Sequence, residues 1–209
     1  MQGLLSHPGH AYGATSRAEI EAIARDERAL LVELADAVRA RGVDVREISV
    51  GSTPTALLSA SLDGITELRP GNYVFHDRTQ VGLGVAQWTD CALRVHASVV
   101  SMPAADRLIL DAGSKVLSSD GGRGFVATPG YGAILDERGA PDPSLLIERL
   151  SEEHAAVRLN GPTSLRIGDR VTIVPNHACV VANLTNTCLL ADGDQVLECL
   201  PVDARGLVN

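Results

Sequence analysis

An α/β segment followed by an all-β module is the fold class this sequence predicts, and three observations predict it. Apolar residues recur at helical spacing between Ser16 and Arg41. A strand-like run, Val43 to Val50, follows directly, which makes a unit of parallel type. Beyond about Asp90 the chain turns to short β-rich runs separated by turn residues.

The helix is read from its start. Ser16 is a capping residue and Glu19, three positions on, completes a capping box, after which Ile20, Ile23, Leu30, Leu31, Leu34 and Val38 form an apolar stripe. Gly42 supplies the stop. Upstream, Leu4-Leu5-Ser6 completes a strand, helix, strand unit. In the second module the expected strands are Ala92 to Val100, Arg107 to Leu110, Gly124 to Ala127, Ala156 to Leu159, Arg170 to Val174, Ala178 to Leu184 and Gln195 to Leu200. Turns such as Asp120-Gly121-Gly122, Asn160-Gly161-Pro162 and Asp192-Gly193 divide them. This reads as a small barrel or sandwich. The boundary falls in Asp77 to Asp90, giving a first domain over 1–80 and a second over 81–209.

Composition removes several function classes. A net charge of -8 and an aromatic fraction of 3% leave neither the basic surface nor the stacking platforms of a nucleic-acid binder. No apolar run reaches the roughly 18 residues that span a bilayer, and no signal peptide opens the chain, so the expected location is cytoplasmic. The only lysine is Lys115, so Schiff-base chemistry within this chain would have to use it.

Two segments carry candidate chemistry. In Ile48-Ser49-Val50-Gly51-Ser52-Thr53-Pro54-Thr55 a strand runs into a helix start, with Pro54 at the first helical position and Thr53 or Ser52 as cap. Such an opening offers backbone N–H groups and hydroxyls to an anion, and Gly51 allows close approach. The same residues also cap an ordinary surface helix. In Val174-Pro175-Asn176-His177-Ala178-Cys179, an extended chain would point His177 and Cys179 to one face, where imidazole and thiolate suit Zn²⁺ with positions left open for water or substrate. A core histidine beside a buried cysteine is the alternative. His7-Pro8-Gly9-His10-Ala11-Tyr12, at a possible strand end, and the turn-bearing Glu67 to Tyr73 and Leu110 to Lys115 segments are further polar clusters. Each also reads as loop chemistry.

Taken in order, HPGHAY, SVGSTPT, ELRPGNYVFHD, LDAGSKVLSSD, SEEH, VPNHAC and PVDARG resemble the fold-type III pyridoxal enzymes of the D-threonine aldolase and D-serine dehydratase family. The resemblance implies that residues 1–80 are the downstream part of a (β/α)8 barrel holding pyridoxal 5'-phosphate, and that 81–209 are a β-domain with the metal site. Two subunits often share each active site in such enzymes. By the same resemblance Gly51, Ser52 and Thr53 hold the cofactor phosphate, Tyr12 sits near the pyridine nitrogen, and His177 and Cys179 bind zinc. The implied activity is a lyase reaction on D-β-hydroxy amino acids, with cysteine as the second ligand resembling the dehydratase side.

One departure is large. Family members begin with a further stretch that supplies the early barrel strands and the lysine that binds the cofactor, and Lys115 matches a different lysine, in the β-domain. Met1 then reads as an internal start or as the edge of a truncated or split gene, and the catalytic lysine is not in this chain. The expected assembly is a homodimer, or a subunit completed by a separately encoded N-terminal half. Two rivals stand beside the lyase: a non-catalytic remnant that still binds metal or phosphate, and an unrelated zinc hydrolase, which needs a third ligand and a general base near His177.

Overall fold

The computed structural model describes residues 2–125 and 129–207, in two compact units: residues 1–90 with 123–128, and residues 91–122 with 129–209. In the first unit, β1 (Gly3–Leu5), β2 (Glu47–Val50) and β3 (Glu67–Leu68) form a three-stranded parallel sheet in that order. Helix α1 (Arg17–Arg39) makes the β1–β2 crossover, and the short α2 (Thr53–Leu58) lies between β2 and β3. These are consecutive pieces of a β/α barrel.

The start of α1 follows its sequence closely. The Glu19 N–H donates to Ser16 Oγ at 3.2 Å, and Glu19 Oε2 accepts from both the backbone N–H and the hydroxyl of Thr15. The stripe is less uniform than its spacing predicts. Ile20 is fully buried and Leu31 and Val38 pack with Ala35, Val45 and Ile48, whereas Leu30 and Leu34 are 64% and 47% exposed. Those two stand one turn apart on the face turned from the sheet. The strand expected over Val43 to Val50 is regular only over Glu47–Val50.

A short helix, α3 (Arg78–Gly82), is capped by Asp77, whose carboxylate accepts from the Gln80 N–H. The second unit holds β4 (Val95–Ala104), β5 (Arg107–Leu110), α4 (Ser114–Leu117), β6 (Ala133–Leu135), β7 (Leu145–Leu150), β8 (Ala155–Leu159), β9 (Arg170–Val174), α5 (Ala178–Leu184), β10 (Thr187–Asp192) and β11 (Gln195–Pro201). Six of the strands form an antiparallel sheet in the order β6-β9-β4-β5-β8-β7. Its two outer strands meet where the Tyr131 N–H, just ahead of β6, donates to the Ile147 carbonyl of β7 at 3.1 Å, so the barrel is nearly closed.

The barrel core is aliphatic, with Val99, Leu108, Leu110, Ile134, Ile147, Val157 and Ile173 at its centre. Ile147 is fully buried, so truncating it to alanine should destabilise the unit by about 2–5 kcal/mol in chemical denaturation. A cost below about 1 kcal/mol would mean that this core does not hold the unit together. The β10–β11 hairpin forms a separate two-stranded sheet, and every residue of β11 is exposed.

One strand expectation fails, and another is described only in part. The expected strand over Ala178 to Leu184 is helix α5, with His177 as its cap. The expected strand over Gly124 to Ala127 begins in a bend at Gly124 and Phe125, and Val126 and Ala127 lie outside the described residues.

Candidate phosphate and metal sites

The phosphate-loop candidate sits at the C-terminal end of parallel strand β2, where barrel enzymes place their sites. Gly51 has a φ of +108°, a conformation that L side chains rarely adopt. Ser52 is the cap of α2 and Pro54 is the second helical residue, one place later than the sequence suggests. The turn is internally braced, because the Ser52 N–H donates to Thr55 Oγ1 at 2.9 Å. The Ser52 and Thr55 hydroxyl oxygens lie 3.0 Å apart.

Thr53 Oγ1 accepts from the Tyr73 N–H at 3.2 Å, which directs the hydroxyl's own proton to another acceptor. Ser52, Thr53 and Thr55 are all buried. These neutral donors at a helix start fit a phosphate group. A shallow recess on the α1 side of this turn is lined by Gly51 and Thr55 together with Glu27 and Arg28. Tyr12 belongs to a 3-10 turn, Gly9–Gly13, and packs half-buried against the cluster of Ala14, Ile20, Leu58 and Leu83. His7 and His10 of the same segment are exposed.

In the second unit, β9 ends at Val174 and runs through Pro175 and Asn176 into the cap of α5. His177 keeps an extended backbone, with φ -143° and ψ 97°, and Cys179 is the second residue of the helix. The expectation that the two share one face of a strand is therefore wrong. Their spacing spans a strand-to-helix junction, and alternation along a strand does not govern it.

The structure adds a residue that the sequence reading missed. His177 Nδ1 lies 2.6 Å from Asp120 Oδ2, a carboxylate from the loop that follows α4. That loop is tied to the same junction by Asn176, whose amide nitrogen donates to the carbonyls of Asp120 and Gly130, each at 2.9 Å. The described residues contain no group of three or more His, Cys, Asp or Glu side chains placed to hold one ion.

Lys115 lies in α4, held there by close backbone approach. Its N–H and that of Ser114 donate to the carbonyls of Glu152 and Ser151, and a Cβ on Gly113 would come within 2.3 Å of the Glu152 carbonyl oxygen. The Lys115 ammonium pairs with Glu153 at 2.6 Å and Glu152 at 2.9 Å. Hydrogen bonds to Glu153 and then Glu152 raise its pKa above the ordinary lysine value. The amine therefore stays protonated at neutral pH and is a poor nucleophile.

Residues 92–191 match the family model described as a putative serine dehydratase domain. D-threo-3-hydroxyaspartate dehydratase of Delftia sp. (strain HT23) is 38% identical over 187 residues, 85% of this chain and 49% of that protein. A solved structure of a D-threo-3-hydroxyaspartate dehydratase variant in the metal-free form superposes on 96% of this chain and 55% of its own, with a TM-score of 0.86 at 33% identity. D-threonine aldolase from Filomicrobium marinum superposes on 100% of this chain and 55% of its own, with a TM-score of 0.83 at 26% identity.

The chain belongs to the D-serine dehydratase and D-threonine aldolase family. It spans about half the length of the dehydratases and aldolase it matches, 47% to 51%. The parallel segment followed by an antiparallel barrel is the family's architecture over that half. A shorter relative also occurs: an uncharacterised protein of Mycobacterium bovis is 36% identical over 135 residues, 62% of this chain and 96% of that protein. No helix among the described residues is long and apolar enough to cross a membrane.

Proposed function

We propose that this chain is the phosphate-binding and metal-binding half of a pyridoxal-phosphate-dependent lyase acting on D-β-hydroxy amino acids. Residues 1–80 contribute to the cofactor barrel, and 81–209 form the β-domain with the metal site. The chain works in the cytoplasm as a homodimer or with a complementing N-terminal half, and neither nucleic acid nor a membrane is a partner. The observation that carries the reading is the Gly51-Ser52-Thr53 turn at the end of β2, where a positive φ, a helix start and buried hydroxyls coincide.

Thr53 and Ser52 donate hydroxyl protons to the cofactor phosphate, and Gly51 lets the backbone come close. Tyr12 would contact the cofactor ring near its pyridine nitrogen. Bound pyridoxal phosphate supplies an electron sink for the bond broken at Cα. His177 and Cys179 would hold a zinc ion, which would supply a Lewis acid for the substrate's β-hydroxyl. The thiolate of Cys179, together with the Delftia dehydratase as a relative, favours loss of the hydroxyl over Cα–Cβ cleavage.

The test compares pyridoxal phosphate with pyridoxal in equilibrium titrations of the purified chain. Charge-assisted hydrogen bonds to the phosphate are worth about 1.5–3 kcal/mol each, so pyridoxal should bind at least about tenfold more weakly. Equal affinities would remove the phosphate site. A second reading, a subunit without lyase activity of its own, is favoured by the short Mycobacterium relative, whose length this chain covers almost completely. It predicts metal binding without turnover of D-serine, D-threonine or D-threo-3-hydroxyaspartate.

A further inference from the structure

We infer that Asp120 is the positioning residue of the metal site: it fixes His177 in the tautomer whose lone pair is on Nε2, and so makes Nε2 the atom that meets the metal. The inference rests on the reading of His177 and Cys179 as metal ligands. An ionised carboxylate only accepts hydrogen bonds, so at 2.6 Å from Asp120 Oδ2 the proton must reside on His177 Nδ1. In the neutral ring the lone pair is then on the opposite nitrogen. A carboxylate behind a metal-binding histidine also raises its basicity and fixes the plane of its ring.

The geometry around Asp120 is built to hold it there. The Asn176 amide bridges the Asp120 and Gly130 carbonyls, so the residue immediately before the histidine clamps the backbone of the residue that orients it. Asn176 is 1% exposed. Ser118, two residues before Asp120, has a φ of +60°, a left-handed conformation that costs energy in a non-glycine residue, and its Oγ accepts from the Asp120 N–H at 3.2 Å. A strained turn, a buried amide clamp and a short carboxylate–imidazole bond thus converge on one ring. Histidine 96 offers a contrast, because His96 Nδ1 meets only a threonine hydroxyl, at 3.2 Å on the barrel wall. A hydroxyl both donates and accepts and selects no tautomer.

The test uses the full chain and zinc alone, measured by chelator competition, with Asp120→Asn as the main variant. That substitution keeps the backbone carbonyl that Asn176 grips and removes only the charge. The wild type should bind one zinc ion, and Asp120→Asn should bind it about 10- to 100-fold more weakly. A readout independent of metal is the ¹⁵N shift pattern of the His177 ring in the zinc-free protein. It should report the Nδ1–H form in the wild type and a shift toward Nε2–H in Asp120→Ala.

Unchanged zinc affinity in Asp120→Asn, or an unchanged tautomer in Asp120→Ala, overturns the inference and leaves the metal reading standing. Altered ligand-field bands in cobalt-saturated Asp120→Asn would make Asp120 a direct ligand, which also overturns it. A wild type that binds no zinc defeats the metal reading itself, and the positioning role falls with it.

Discussion

Replacing His177 with alanine should take bound zinc from one ion per chain to background in metal analysis of the purified protein. The expected loss is complete because the proposed site has two protein ligands, one nitrogen and one sulfur, with the remaining positions left to water or substrate. A single thiolate on a surface helix turn does not hold a borderline cation against buffer and chelator. Cys179→Ser should weaken binding in the same assay, since a hydroxyl is a far poorer zinc ligand than a thiolate. His96→Ala is the control: this residue lies on β4 and bonds to Thr172, so its removal should leave the zinc content intact. Zinc retained by His177→Ala would mean that the ligands are elsewhere.

Local signals were legible and long-range ones were not. The position where α1 starts could be read to the residue, because the Ser16 cap lies within one turn and needs no distant contact, but the reciprocal bond of a capping box does not form: the Glu19 carboxylate takes the Thr15 N–H and hydroxyl and not the Ser16 N–H. The parallel pairing of β1 with β2 was likewise implied by strand, helix and strand in succession. Helix α5 was misread because Ala178-Cys179-Val180-Val181 is short, apolar and rich in β-branched residues. A run of that length fits a buried strand as well as a helix, and His177 is not a residue that marks a cap.

Asp120 left no trace in the sequence as a partner of His177, since 57 positions separate them and only closure of the barrel brings the α4 loop beside the end of β9. The Asp120-Gly121-Gly122 string announced a turn and gave no sign that its carboxylate meets His177. The exposure of Leu30 and Leu34 escaped for a similar reason: helical spacing identifies a stripe, while the sheet decides how much of it is covered.

Borohydride reduction in the presence of pyridoxal phosphate, followed by peptide mapping, tests most directly the claim that this chain holds the cofactor's phosphate without the lysine that binds it. Lys115 is the only lysine in the sequence. It lies in the β-domain unit, paired with Glu153 and Glu152, and those carboxylates raise its pKa, so near neutral pH its amine is almost wholly the non-nucleophilic ammonium. Raising the pH releases the amine only as the titration approaches that elevated pKa. At neutral pH the cofactor should bind reversibly, be lost on dialysis, and leave no stoichiometric pyridoxyl group on Lys115 after reduction. A stoichiometric pyridoxyl group on Lys115, accompanied by turnover of D-serine or D-threonine, would contradict that claim and show that the chain carries its own covalent anchor.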